Sequence, residues 1–165
     1  MDIKNLMSSL EQSPLYGNKK YGQAFDDAEP CNEKCFPFPV QITIRKGAVI
    51  DKLAFAYDGL TTEHGGNGGT PSGMTLQEGE HIVKVCGTHA KFNNDDVIET
   101  LSFTTDKGRS FSAGTPKPGN GYFEYKARDG YAICALHGRS ANYVGGIGFY
   151  ARKIELDFLG EKSDR

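Results

Sequence analysis

The sequence lacks tryptophan, has four cysteines among its 165 residues, and contains no long apolar run. A helix that crosses a bilayer needs about 20 consecutive, predominantly apolar residues. No stretch approaches that length, so we expect no membrane insertion. Four cysteines are too few for a domain held together by disulfide bonds. The 19 basic side chains are balanced by 21 acidic ones, and this near-neutral composition without basic runs argues against a nucleic-acid partner.

The N-terminus also lacks the features of a secretory signal. Residues 1–5 read Met-Asp-Ile-Lys-Asn, without the charged start and apolar middle that such signals have. We therefore expect a cytoplasmic protein, or one that is released from the cell without a classical signal peptide.

The two ends of the chain are predicted to lie outside the main domain. Residues 1–16 form an N-terminal appendage with a short helix, because their apolar side chains have the spacing of one helical face: Ile3, Leu6, Met7 and Leu10. Residues 153–165 form a C-terminal extension, in which the apolar side chains alternate as in a strand: Ile154, Leu156 and Phe158. The one domain expected for a chain of this length then spans 17–152.

The central part is rich in glycine and aromatic residues, with 21 glycines, ten phenylalanines and eight tyrosines. Its apolar residues alternate with polar ones, as in strands with one buried face; the clearest run is Phe38, Val40, Ile42 and Ile44. Further short runs, separated by turn clusters, lie at 80–86, 97–105, 122–126, 131–137 and 143–150. Because no helical pattern interrupts this series, we predict an all-β fold with antiparallel pairing.

An internal repeat is the most informative feature of the sequence. Residues 49–55 match residues 97–103, and a third copy follows at 143–149. Each copy has an apolar pair, then Leu or Ile, then Phe, so a unit of one supersecondary motif is repeated three times. Three units are too few for an open, capped solenoid, which favours a closed, threefold arrangement; a stacked array of hairpins is the alternative. The closed arrangement buries the three repeat phenylalanines, Phe55, Phe103 and Phe149.

The repeats place three equivalent positions at the ends of strands, which we call rim positions. They are filled by Asp51, Glu99 and Gly145. The first copy combines its aspartate with Gly47, four residues earlier, which permits a tight turn. A glycine-rich loop follows at 64–70, without the lysine of a phosphate-binding loop and with no helix after it. A carboxylate facing unobstructed backbone N–H groups suits a neutral, polyhydroxylated ligand such as a sugar; the alternative is that the loop is merely a turn.

Four motifs, in order along the chain, resemble landmarks of the jacalin-related lectins. They are GQAFDD at 22–27, HGGNGGTP at 64–71, LQEGE at 76–80 and LHGRS at 136–140. The resemblance runs from about Gly17 to Tyr150. It implies a β-prism, in which three antiparallel, four-stranded Greek-key sheets surround a pseudo-threefold axis. This agrees with the repeat identified above.

The resemblance also implies where a sugar binds, at one end of the prism and without a metal. The usual family site joins a glycine, matched here by Gly22, to a Gly-x-x-x-Asp motif that falls on residues 141–145. Ala141 and Gly145 depart from that motif, so an altered carbohydrate site is predicted there; we call it the third-repeat site, and its residues are Gly22, Asn142, Tyr143 and Gly145. Members with two sites also use the first repeat. That site has all its elements here and is called the first-repeat site, consisting of Gly47, Ala48, Val49, Asp51, Asn67, Gly68 and Gly69.

The predicted function is therefore that of a metal-independent lectin for mannose- or glucose-type glycans. Galactose-preferring members need a free amino group at the glycine matching Gly22, and residues precede it here. No cofactor and no catalysis are expected, because Cys134 and His137 are predicted on opposite faces of one strand and Asp26 and Asp27 are interpreted as solvated turn residues. A homo-oligomer would bind multivalent glycans more strongly than a single chain, because several weak sites would act together. The alternative is a β-prism that has lost sugar binding and contacts other proteins.

Overall fold

The computed structural model describes residues 10–154. Within this range, thirteen strands and one helix follow in chain order: β1 Glu11–Gln12, β2 Tyr16–Gly17, β3 Gln23–Asp26, α1 Ala28–Glu33, β4 Gln41–Lys46, β5 Ile50–Tyr57, β6 Leu60–Gly65, β7 Thr70–Thr75, β8 Ile82–Phe92, β9 Asp95–Thr105, β10 Ser110–Ala113, β11 Gly121–Lys126, β12 Tyr131–Ser140 and β13 Val144–Lys153. The helix has six residues. In this part of the chain no helix is long and apolar enough to cross a membrane.

The strands form three antiparallel sheets, which confirms the predicted all-β class. The first has the order β6-β5-β4-β7 and the second β10-β9-β8-β11. In each, the fourth strand returns to lie beside the first, which is the Greek-key arrangement. The third sheet has the order β1-β13-β12-β3, with β2 also paired to β13. It is therefore completed by strands from both ends of the described chain.

The main hydrophobic core lies between the three sheets and takes side chains from all of them. The repeat phenylalanines Phe55, Phe103 and Phe149 have no exposed surface, and the rings of Phe55 and Phe103 meet edge to face with centroids 6.2 Å apart. Burying a large aromatic side chain contributes about 2 kcal/mol or more, so these three positions anchor the closed, threefold arrangement. The predicted burial of all three is confirmed, and the stacked array of hairpins is not the fold.

Residues near both termini add to the third sheet. Glu11 pairs with Ala151, and Tyr16 with Ile147, so part of the segment 1–16 is strand within the sheet. The predicted helical residues Ile3, Leu6 and Met7 lie outside the described residues, as do Leu156 and Phe158 of the predicted C-terminal strand. The domain boundaries at 17 and 152 stay a prediction.

Candidate functional site

Two loops of the first sheet meet at one end of the molecule. The turn at 47–49 joins β4 to β5, and the loop at 66–69 joins β6 to β7. Because β4 lies between β5 and β7, with Lys46 opposite both Ile50 and Thr70, the two loops are neighbours. This register brings Gly47 and Asp51 next to Gly68 and Gly69, as the sequence predicts for the first-repeat site.

Asp51 is a nearly buried carboxylate with one oxygen held in place. Its residue surface is 7% exposed, and its Oδ1 accepts a hydrogen bond from the backbone N–H of Gly47 at 2.8 Å. The second oxygen, Oδ2, accepts no hydrogen bond from any residue in the range 10–154. Asp51 therefore offers a fixed acceptor for a ligand that brings its own donor.

Two glycines keep that acceptor open. A Cβ atom on Gly68 would lie 2.7 Å from Oδ2 of Asp51, and one on Gly47 would lie 3.3 Å from Oδ1. Any side chain at position 68 would therefore press on the carboxylate and cover its free oxygen. The absence of side chains at these two positions is a requirement of the site.

Cationic side chains of β4 hold the loops in place. Arg45 donates from Nε to the carbonyl of Gly68 and from Nη2 to that of Gly69, both at 3.0 Å, while Lys46 Nζ donates to the carbonyl of Gly47 at 2.7 Å. These bonds tie the carbonyls of both loops to β4 beside Asp51. Sequence reasoning missed Arg45, whose only signal was its position on the polar face of the strand beside the loop.

The other predicted members of the first-repeat site have different surroundings. Ala48 is exposed in the turn, whereas Val49 is 3% exposed and its carbonyl accepts from the N–H of Gly47 at 3.1 Å. Asn67 is exposed, and its Oδ1 accepts from Lys52 Nζ at 2.7 Å. The Asn67 side chain thus turns toward the outer face of the first sheet, away from Asp51.

Tyr21 fills the third-repeat site. A Cβ on Gly145 would lie 2.3 Å from Cδ2 of the Tyr21 ring, so the space that an aspartate would need is occupied. Arg139 holds this segment through the carbonyls of Tyr21 at 2.7 Å and Gly22 at 2.9 Å, and burial raises the pKa of the Tyr21 phenol. Sequence reasoning missed Tyr21, although it directly precedes Gly22.

The remaining residues of the third-repeat site are partly engaged. Tyr143 meets Phe92 edge to face with ring centroids 5.4 Å apart, and its hydroxyl accepts from Asn93 Nδ2 at 3.3 Å. A Cβ on Gly66 would lie 2.5 Å from the carbonyl oxygen of Asn142, so this turn packs against the loop of the first-repeat site. The two sites are therefore neighbours, and the third-repeat site holds aromatic side chains where the family carboxylate is expected.

His64 and Asp27 form an interior pair that links the first and third sheets. His64 Nε2 lies 2.8 Å from Asp27 Oδ2, and the imidazole stacks on Phe25 with centroids 3.6 Å apart. Asp27 is 4% exposed, so the prediction that it is a solvated turn residue is wrong. It is buried because His64 supplies the hydrogen bond that an interior carboxylate requires.

The described residues contain no cluster of metal-ligating side chains, and the buried Cys134 is not an activated nucleophile. Among residues 10–154, no three His, Cys, Asp or Glu side chains are arranged to hold a metal ion. The four cysteines are free, and burial raises the pKa of the Cys134 thiol to about 12. Burial also lowers the pKa of His137. A thiol that stays protonated near neutral pH is a poor nucleophile.

Comparisons with known proteins agree with this architecture. Residues 13–150 match the model of the jacalin-like lectin domain. Horcolin from Hordeum vulgare subsp. vulgare is 33% identical over 120 residues, which cover 67% of this chain and 80% of horcolin.

Two solved structures with the same fold provide a further comparison. A mannose-binding jacalin-related lectin from Ananas comosus has a TM-score of 0.70 at 24% identity, with 88% of this chain and 99% of that chain covered. Artocarpin, solved as a complex with mannotriose, has a TM-score of 0.70 at 18% identity, with 87% and 97% covered. Since the family model spans most of the sequence and the three sheets have the arrangement of these lectins, the chain belongs to the jacalin-like lectin family.

Proposed function

We propose that this protein binds mannose- or glucose-type glycans at the first-repeat site, without a metal ion and without catalysis. The observation that carries the proposal is the Asp51 carboxylate. Its Oδ1 is held by Gly47, and its free Oδ2 faces Gly68, which has no side chain. Such an acceptor is positioned before the ligand arrives, so little ordering is lost on binding.

The site chemistry fits a ring with neighbouring hydroxyl groups. Oδ2 of Asp51 accepts from two hydroxyls, such as the 4- and 6-hydroxyls of a mannose-type ring, and backbone groups of residues 48–49 and 68–69 complete the contact. Each charge-assisted hydrogen bond contributes about 1.5–3 kcal/mol before desolvation is counted. For these few contacts we expect roughly millimolar affinity for a single sugar.

The relatives support the choice of sugar. The Ananas comosus protein is named as mannose-binding, and artocarpin was solved with mannotriose. Because one weak site per chain gives little avidity, a homo-oligomer or a multivalent glycan supplies the useful binding strength. The relatives are lectins, which supports binding without turnover.

A β-prism that contacts proteins instead of glycans is the second candidate function. The observation that favours it is Tyr21, which occupies the third-repeat site where the family places its carboxylate. Under this alternative the first-repeat site has no sugar ligand either, and a glycan array returns no signal.

The variant Asp51→Asn tests the proposal most directly. It preserves size and the acceptor for the Gly47 N–H, but replaces the free oxygen by an amide that donates. Mannotriose binding is measured by NMR titration in the presence of EDTA. Asp51→Asn is expected to bind about tenfold more weakly than the parent, because one charge-assisted hydrogen bond is lost.

Asp58→Asn is the matched control, because Asp58 is an exposed acid at the other end of β5. It is expected to bind like the parent. Parent-like binding by Asp51→Asn would refute the site assignment, and shifts clustered at Gly22, Asn142 and Tyr143 would then locate binding at the third-repeat site. Loss of parental binding in EDTA would refute the metal-independent mechanism.

A further inference from the structure

A cavity of about 330 Å³ lies beside the first-repeat site, between the first and second repeats. Its wall on one side is formed by Lys46 and Ala48 of the first repeat. On the other side it is formed by Glu99, Gly114 and Lys117 of the second repeat. Ala48 lines this inter-repeat cavity and directly follows Gly47, whose N–H donates to Asp51, so the cavity adjoins the first-repeat site.

The Lys46 side chain extends into the cavity because residue 114 is a glycine. Gly114 has a φ of +88°, and a Cβ there would lie 2.6 Å from Lys46 Cε and 2.8 Å from Thr100 Cγ2. The Lys46 side chain therefore reaches from the first sheet across to the second repeat. Its ammonium uses one of three N–H donors on the carbonyl of Gly47, which leaves two donors for a ligand.

Lys117 adds a second positive charge without a partner. It is exposed in the connection between β10 and β11, and it makes no side-chain hydrogen bond or ion pair with any residue from 10 to 154. An ammonium group at the mouth of a cavity, with its donors unused, is suited to an anionic group on a ligand.

Glu99 supplies the acceptor of the cavity. The residue is 7% exposed, and its Oε1 accepts from Thr88 Oγ1 at 3.0 Å and from Asn120 Nδ2 at 2.8 Å. Oε2 accepts no hydrogen bond within the described part of the chain. Glu99 thus has the same arrangement as Asp51, with one carboxylate oxygen bonded and the other free. The two hydrogen bonds to Oε1 partly offset the negative charge of the carboxylate.

We propose that the inter-repeat cavity is a second subsite that binds an acidic sugar unit, one carrying a carboxylate or a sulfate, linked to the neutral unit held at Asp51. Glu99 accepts from a hydroxyl of that unit, while Lys46 and Lys117 contact its anionic group. The inference rests on the proposed function, because the neutral unit is bound by the first-repeat site. It makes the preferred ligand an acidic oligosaccharide.

Calorimetric titration of the full chain with three matched disaccharides tests this inference. The probes are mannobiose, a glucuronic acid–mannose disaccharide and mannobiose sulfated on its second unit. At low salt the parent is expected to bind the acidic probes about fivefold more tightly than mannobiose, the effect of one exposed ion pair. The carboxylate and sulfate probes distinguish the two kinds of anionic group. Salt at about 0.5 M is expected to remove the advantage through screening.

Lys117→Ala is expected to reduce the advantage of the acidic probes, because Lys46 is then the only lysine at the subsite, and to leave mannobiose binding unchanged. Lys126→Ala is the matched control, because Lys126 is an exposed lysine at the far end of β11 from the cavity; it is expected to behave as the parent. If Lys117→Ala weakens acidic and neutral probes equally, or if the parent binds all three equally, the subsite is refuted.

Asp51→Asn separates the subsite from the proposed function. It is expected to weaken all three probes, since the neutral unit anchors each of them. Acidic probes that bind this variant as they bind the parent would overturn the joined-subsite inference. A parent that binds mannobiose with no preference for acidic probes would refute the subsite and leave the proposed function in place, whereas a parent without any affinity for mannobiose would refute the proposed function.

Discussion

At the scale of single residues, two glycines near the rims of different repeats have opposite roles. Gly68 leaves open the space in front of Asp51, whereas Gly145 leaves room for the ring of Tyr21. A missing side chain therefore leaves a carboxylate oxygen uncovered in the first repeat and makes room for a neighbouring aromatic ring in the third. The same residue type carries different information because its neighbours differ.

Gly68→Ala is predicted to weaken glycan binding without unfolding the protein. Gly68 is exposed and its φ does not lie in the left-handed range, so the backbone accepts alanine, but the new methyl group presses on Oδ2 of Asp51. We expect at least about tenfold weaker mannotriose binding in an NMR titration. Asn67→Ala is the control, since the Asn67 side chain is bonded to Lys52; equal losses in both variants would contradict the assigned geometry.

Gly145→Asp is predicted to destabilise the protein and not to restore the family site. Its Cβ would overlap the Tyr21 ring, and overpacking of this kind costs about 1–3 kcal/mol of the free energy of unfolding. Urea denaturation measures that loss. The double variant Gly145→Asp with Tyr21→Ala is expected to recover part of it, because the ring is gone. A Gly145→Asp variant as stable as the parent would show that Tyr21 moves aside easily.

At the scale of elements, the pair of His64 and Asp27 joins β6 to the segment between β3 and α1. The variant His64→Ala removes the partner of the Asp27 carboxylate, and the Asp27 side chain is only 6% exposed. Leaving this buried acceptor without its hydrogen-bond partner is expected to lower the free energy of unfolding by about 2–3 kcal/mol, as measured by urea denaturation.

His89→Ala provides the control for that experiment. His89 also pairs with an aspartate, Asp96, but the two side chains are 32% and 35% exposed, so solvent screens the interaction. The loss there is expected to stay below about 1 kcal/mol. Equal losses in the two variants would mean that burial does not set the strength of the His64–Asp27 pair.

At the scale of the whole molecule, the three rim positions of one repeated frame have diverged. At the first, the Asp51 carboxylate lies beside Gly68. At the second, Glu99 borders a cavity with two lysines. At the third, Gly145 is covered by the aromatic ring of Tyr21. The core remains threefold because Phe55, Phe103 and Phe149 stay buried. The rims are free to differ because they contribute little to that core.

Much of the fold and part of the site followed from the sequence alone. Alternation of apolar residues and the repeat ending in phenylalanine are local patterns, and they correctly predicted antiparallel strands, a closed threefold arrangement and the buried phenylalanines. The three Greek-key sheets were predicted from the resemblance to the lectin family. The order of motifs identified the family. The proximity of Gly47 and Asp51 was also predicted from the sequence, because the two residues belong to one tight turn.

Contacts between segments distant in the chain were decided by the tertiary structure. Tyr21 lies over Gly145, Arg45 clamps Gly68, and Lys46 reaches Gly114. Each of these contacts joins residues more than twenty positions apart, so it depends on strand register and on how the sheets pack, neither of which a local period encodes. The sequence by itself therefore determined the β-prism and the acceptor Asp51, while packing between sheets decided which rim positions stay open.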